Sequence, residues 1–172
     1  MANEETINRH FLYPGTFFAD PREFLISTIL GSCVSVCMWD AVSCRGGMNH
    51  YMLSLWNGEG LATPKYGNIA VEKLLAKMLA IGCRREHLTA KLFGGANVVG
   101  AGSDIFMIGD RNITLAYDLL KDYDIPVEAC DVGGNAGRKV IMNTATGVIF
   151  VGMGKLKKQR GSLAACFPDE NG

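Results

Sequence analysis

Between Gly31 and Leu53 the chain reads GSCVSVCMWDAVSCRGGMNHYML, which gathers Cys33, Cys37, Cys44 and His50 into one short stretch. Thiols and an imidazole at this density serve three chemistries: a structural zinc site, a disulfide, or one thiol activated by a base. Spacing separates them. Val34 and Val36 alternate with smaller residues beside a GlySer pair, so residues 33–39 read as a strand rather than a helix. At the rise of an extended chain, Cys33 and Cys37 stand about 13 Å apart. Two thiolates at ~2.3 Å from one zinc cannot span that distance, and a disulfide needs Cα atoms within about 7 Å. A thiol with its base fits best.

A neighbouring imidazolium lowers a thiol's pKa and populates the thiolate. That sulfur attacks a carbonyl carbon, and the imidazolium then protonates the leaving group. Cys33 and His50 are equidistant from a turn centred between Ala41 and Val42, so a symmetric antiparallel hairpin would set them opposite one another. Their Cβ atoms would then lie about 4.5–5.5 Å apart. Gly31 and Ser32 allow a sharp turn that could direct the Cys33 amide toward a developing oxyanion. A third group should orient the imidazole, and the hydroxyls of Ser27 and Thr28 are both candidates. His10, in the N-terminal tail, and His87, in a polar connection after Arg84, Arg85 and Glu86, read as surface residues. Cys37, Cys44, Cys83, Cys130 and Cys166 read as small apolar side chains.

The elements that must position this pair follow from periodicity. FLISTIL at 24–30 is a buried strand, residues 33–39 a second, and AsnHisTyrMetLeu at 49–53 another. Residues 66–81 place Ile69, Leu74, Leu75, Met78 and Leu79 mostly on one face of a helix that Gly82 ends. A strand at 88–93, a helix at 112–121, a strand at 127–131 and a hairpin over 140–143 and 148–151 follow. Strands and helices interleave without strict alternation, so the expected fold is a layered α/β (α+β) sandwich with mixed β-sheets.

The chain has 172 residues, 17 of them basic and 17 acidic. That length indicates one domain with an adequate core, assigned to residues 12–157 between a flexible tail at 1–11 and a C-terminal tail at 158–172. Charge balance argues against nucleic acid as a partner. The run KLKKQR at 155–160 reads as a solvated stretch. No uninterrupted apolar run approaches the ~18 residues of a membrane span, and the N-terminus lacks signal-peptide features. A cytoplasmic protein with free thiols is expected.

The segments STILGSCVSVCMWD at 27–40, GGMNHYML at 46–53, YGN at 66–68, AKLFGGAN at 90–97, IGDRN at 108–112 and DVGGNAGR at 131–138 occur in this order across residues 12–155. Together they resemble the CheD family of chemoreceptor glutamine deamidases. The resemblance implies hydrolysis of glutamine side-chain amides on methyl-accepting chemotaxis receptors, with no cofactor or metal. It carries the nucleophile onto Cys33 and the general base onto His50. The family's third residue, a threonine six positions before the cysteine, falls on Ser27. A regular strand would turn Thr28 to the opposite face, which favours Ser27. Also implied are a layered sandwich shared with other Cys–His deamidases and the phosphatase CheC as a binding partner. Ser54 departs from the proline common in the family.

Two other readings stand beside this one. A non-catalytic adaptor would bind receptors or signalling proteins without needing the Cys33 thiol, and a peptidase or methylesterase would use the same dyad on another carbonyl. The glycine-rich segments at 93–97 and 131–138 lack phosphate-loop spacing and read as tight turns near the cleft, with Arg138 a candidate contact for an acidic receptor helix.

Overall fold

The computed structural model describes residues 6–98, 107–153 and 156–159. Branched and aromatic runs form the strands: β1 (Asn8–Phe11), β2 (Thr16–Ala19), β3 (Phe24–Leu30), β4 (Val34–Asp40) and β5 (Arg45–His50). Helix α1 (Gly67–Ala80) precedes β6 (Leu88–Gly94), and α2 (Ile108–Asp122) precedes β7 (Val127–Val132). The described chain closes with β8 (Arg138–Asn143), β9 (Ile149–Gly152) and β10 (Leu156–Gln159). The first sheet has strand order β1-β3-β8-β9-β10 and the second β2-β5-β4-β6-β7. Both are mixed, with β1 parallel to β3 and β6 parallel to β7.

Two apolar clusters stack the layers. Ile26, Leu30, Cys37, Met48, Phe93, Val140 and Met142 fill the space between the sheets. Val34, Val36, Met38 and Leu92, on the opposite face of the second sheet, meet Ala70, Val71, Leu74 and Met78 of α1 with Ala116 and Leu120 of α2. Each fully buried aliphatic side chain contributes about 1.5–3 kcal/mol by leaving water. The result is a sheet–sheet–helix sandwich of the expected mixed α+β class.

Three departures from the sequence reading have physical causes. Residues 8–11, assigned above to a tail, form β1 against β3, where the His10 ring stacks on Phe18 at 3.9 Å. Polar composition hid this short edge strand. Helix α2 starts at Ile108 rather than residue 112, so Asn112 lies inside its first turns. Residues 158–159, assigned to the other tail, belong to β10; the rest of that tail and Cys166 lie outside the described residues.

A fourth departure bears on function. Asp40 Oδ1 accepts the N–H groups of Val42 and Ser43 at 2.8 and 3.0 Å, closing the hairpin on the Asp40↔Arg45 pair. The turn is therefore centred one residue later than expected. Cys37 pairs with Met48 and Val34 with Tyr51, which sets Ser35, not Cys33, across from His50.

Candidate active site

Cys33 sits just before β4, half-buried, in the three-residue link that follows β3. It packs against the cluster between the sheets. His50 ends β5 with only 2% of its surface exposed. Its side chain shares the inter-sheet face with Met48, two residues earlier. With the register above, Cys33 and His50 are diagonal neighbours on one face, where Cα atoms stand about 7–8 Å apart and a ring can bridge. The expected pairing is thus corrected from directly opposite to diagonal.

Thr28, not Ser27, meets the imidazole. Ile26, Thr28 and Leu30 form the buried face of β3, while Ser27 lies on the other face, paired with Phe11 and Ile141. Thr28 Oγ1 is 2.7 Å from His50 Nδ1. The expectation for Ser27 fails because His50 approaches from the second sheet, and only the inward face of β3 points there.

Hydrogen-bond accounting then assigns the imidazole tautomer. Thr28 donates its hydroxyl proton to the Leu12 carbonyl at 2.8 Å. A carbonyl can only accept, and a hydroxyl has one proton to give. Thr28 Oγ1 therefore accepts from His50 Nδ1–H, which leaves Nε2 with its lone pair free. Nε2 is buried and has no hydrogen-bond partner among the described residues. Burial lowers the His50 pKa to about 4. It also pushes the Cys33 thiol up, partly opposed by the residue's own main-chain N–H. Both shifts favour the uncharged thiol and the uncharged imidazole over the thiolate–imidazolium pair expected from sequence.

A family model described as CheD chemotactic sensory transduction matches residues 53–153. The chain is 57% identical over 153 residues to a probable chemoreceptor glutamine deamidase CheD of Trichlorobacter lovleyi, covering 89% of this chain and 95% of that protein. This chain belongs to the CheD family. A Sulfurimonas denitrificans protein of the same description is 42% identical over 144 residues, covering 83% and 92% of the two chains. One from Anaeromyxobacter dehalogenans, described as CheD 1, is 41% identical over 141 residues, with 82% of each covered.

In this CheD chain the glycine-rich segments support the cysteine link. Gly94 adopts φ +100°, and a Cβ there would collide with the Cys33 carbonyl oxygen. The next two N–H groups hold the link itself: Gly95 N–H donates to Cys33 O at 2.8 Å and Ala96 N–H to Gly31 O at 2.9 Å. Gly133 N–H in turn donates to Gly94 O at 2.9 Å. Arg138 is 93% buried by its 7% exposure and is bound to Asp131 and the Gly133 carbonyl. It braces this turn, so the expected contact with a receptor helix is withdrawn.

The other candidates from sequence lie elsewhere. Cys37 is buried, and its thiol is pushed up to about 12 by burial. Cys33, Cys37, Cys44 and Cys83 are free thiols, and Cys130 is buried in the cluster between the second sheet and the helices. His87 lies 3.6 Å from the Asp40 carboxylate, away from the dyad. Among the described residues no cluster of three metal-ligating side chains occurs, and no helix is long and apolar enough to cross a membrane. Sequence reasoning missed Leu12, which acts through a carbonyl and so carries no side-chain signal. It also missed Asn112, which was legible only as part of the IGDRN segment.

Proposed function

We propose that this chain is a chemoreceptor glutamine deamidase in which Cys33 is the nucleophile, His50 the general base and Thr28 the orienting hydroxyl. The observation that carries the mechanism is the Leu12–Thr28–His50 relay, which leaves Nε2 unprotonated on the face it shares with Cys33. The relatives named chemoreceptor glutamine deamidase supply the substrate class.

The reaction begins as the glutamine carboxamide carbon reaches Cys33. His50 Nε2 takes the thiol proton as the sulfur attacks, so no free thiolate is required beforehand. The tetrahedral adduct collapses when Nε2–H protonates the departing amide nitrogen, releasing ammonia and leaving a thioester. Water then loses a proton to Nε2 as it attacks the thioester carbon. Collapse of this second adduct frees glutamate and returns the proton to sulfur. The substrates are methyl-accepting receptors, encountered in the cytoplasm, and the phosphatase CheC is the regulatory partner that the family likeness supports.

Peptide mass spectrometry of a receptor signalling domain, incubated with wild type and with Cys33→Ala, tests this reading. A gain of about one dalton at particular glutamines, absent with the variant, is the expected result. Binding of the domain without any mass change would overturn it in favour of the adaptor.

A further inference from the structure

Three successive carbonyls lead through the nucleophile, and all three are held. Ala96 N–H holds Gly31 O, Gly95 N–H holds Cys33 O, and between them Asn112 Nδ2 donates to Ser32 O at 3.0 Å. The outer two holders are main-chain groups that most substitutions leave in place. The middle one is a side chain. Asn112 is fully buried on α2, and the same Nδ2 donates to Met52 O at 3.0 Å, two residues past His50. The Tyr51 hydroxyl donates to the Asn112 main-chain carbonyl. One turn of α2 thus grips the chain on both sides of the dyad.

We propose that Asn112 is a positioning residue that aims the Cys33 main-chain N–H at the oxyanion formed on the substrate carboxamide, by pinning the Ser32 carbonyl. The inference rests on the deamidase reading above. Its geometry follows from the peptide bond. The Ser32–Cys33 link is trans, and in a planar trans peptide the C=O and N–H point in opposite directions. Turning Ser32 O toward α2 turns Cys33 N–H away from it. That N–H and the Cys33 Sγ belong to one residue and leave the same Cα, so an N–H turned away from α2 stands next to the sulfur that the attacked carbon must reach. As the carboxamide carbon becomes tetrahedral, its oxygen takes the electron pair of the C=O bond and develops negative charge. A donor already aimed there needs no reorganisation.

Asn112 Oδ1 is buried with no hydrogen-bond partner among the described residues, so the side chain makes its polar contacts through Nδ2 alone, to Ser32 O and Met52 O. Holding the peptide plane through Nδ2 gives a reason for an amide at this position.

Asn112→Leu and Asn112→Ser separate aim from folding, with Ala116→Gly as a control that loosens the same helix. Three readouts apply: kcat and KM on a receptor signalling domain, alkylation of Cys33 by iodoacetamide, and affinity for a peptide aldehyde bearing the carbonyl at the glutamine side-chain position. Aldehyde addition builds an oxyanion; alkylation does not. The expected result for Asn112→Leu is a kcat loss of about 10²-fold, the scale of one oxyanion donor. KM and the alkylation rate should stay within roughly threefold, and aldehyde affinity should fall in step with kcat. Asn112→Ser, smaller and able to admit water, should fold if the leucine variant does not and show the same split. Alkylation falling as far as kcat, or a kcat and aldehyde affinity left unchanged, would overturn the proposal, as would a wild type that binds no aldehyde at Cys33. A wild type that binds the aldehyde but deamidates no receptor would sink the substrate reading while leaving the role of Asn112 standing.

Discussion

Thr28 and Ser27 are adjacent hydroxyls with opposite fates, and that contrast is testable one residue at a time. Thr28→Val keeps the shape of the side chain but leaves His50 Nδ1–H without its acceptor. A kcat loss of about 10²-fold or more is expected, within the range that acid–base groups contribute. Ser27→Val, on the outer face of β3, should change kcat by less than roughly threefold. Equal losses in the two variants would return the orienting role to Ser27. The pH profile belongs at the same scale. Because burial holds His50 neutral down to about 4, kcat/KM should persist through pH 5 and fall only as Nε2 protonates near that value. An ordinary histidine would lose activity near pH 6.5. Since burial raises the Cys33 thiol, the alkaline change should lie above the usual thiol range. An acid limb near 6.5 would contradict the buried neutral base.

At the scale of elements, the cysteine link depends on the turn that ends β6. Gly94 and Gly58 both have positive φ, +100° and +92°, yet a Cβ meets the Cys33 carbonyl at Gly94 and nothing within 4 Å at Gly58. Gly58→Ala should therefore cost only the backbone strain of about 1–2 kcal/mol. Gly94→Ala adds a collision and should cost more, with a fall in kcat that Gly58→Ala does not show. Denaturant unfolding and a kinetic assay on both variants check this. The elements were largely legible because their patterns are local: FLISTIL gives β3, and the apolar stripe of residues 67–80 gives α1. Leu79 was misplaced on that stripe and is 44% exposed; the buried face runs through Gly67, Ala70, Val71, Leu74, Leu75 and Met78 instead. β1 and β2, at four residues each, are too short for periodicity to register. Yet Leu12, the residue after β1, supplies the carbonyl that fixes the His50 tautomer.

Across the whole molecule, burial of a neutral His50 links stability to pH. Unfolded, the imidazole binds a proton below about pH 6.5; folded, it resists until about 4. Between those values the unfolded state carries the extra proton, so stability falls as pH drops and levels off below about 4. The loss approaches about 3 kcal/mol. Urea midpoints at pH 7 and pH 4.5 should show it in wild type, and His50→Gln should flatten that part of the slope. Equal slopes in both proteins would mean that His50 titrates alike folded and unfolded.

The sequence by itself determined which thiol and imidazole are proposed to react, the mixed layered class and the family likeness. Each is carried by residue type, local periodicity or the order of short segments, and none needs three-dimensional knowledge. Tertiary structure decided how the groups meet. Asp40 closing its hairpin one residue later made Cys33 a diagonal neighbour of His50. Docking of the two sheets chose Thr28 over Ser27, because alternation along a strand tells which residues share a face but not which face another sheet will cover. Burial between those sheets favoured the uncharged thiol and imidazole, and α2 placed Asn112 against Ser32 from 80 residues away. Contacts at that separation leave no periodic trace in the chain, so only the folded molecule could reveal them.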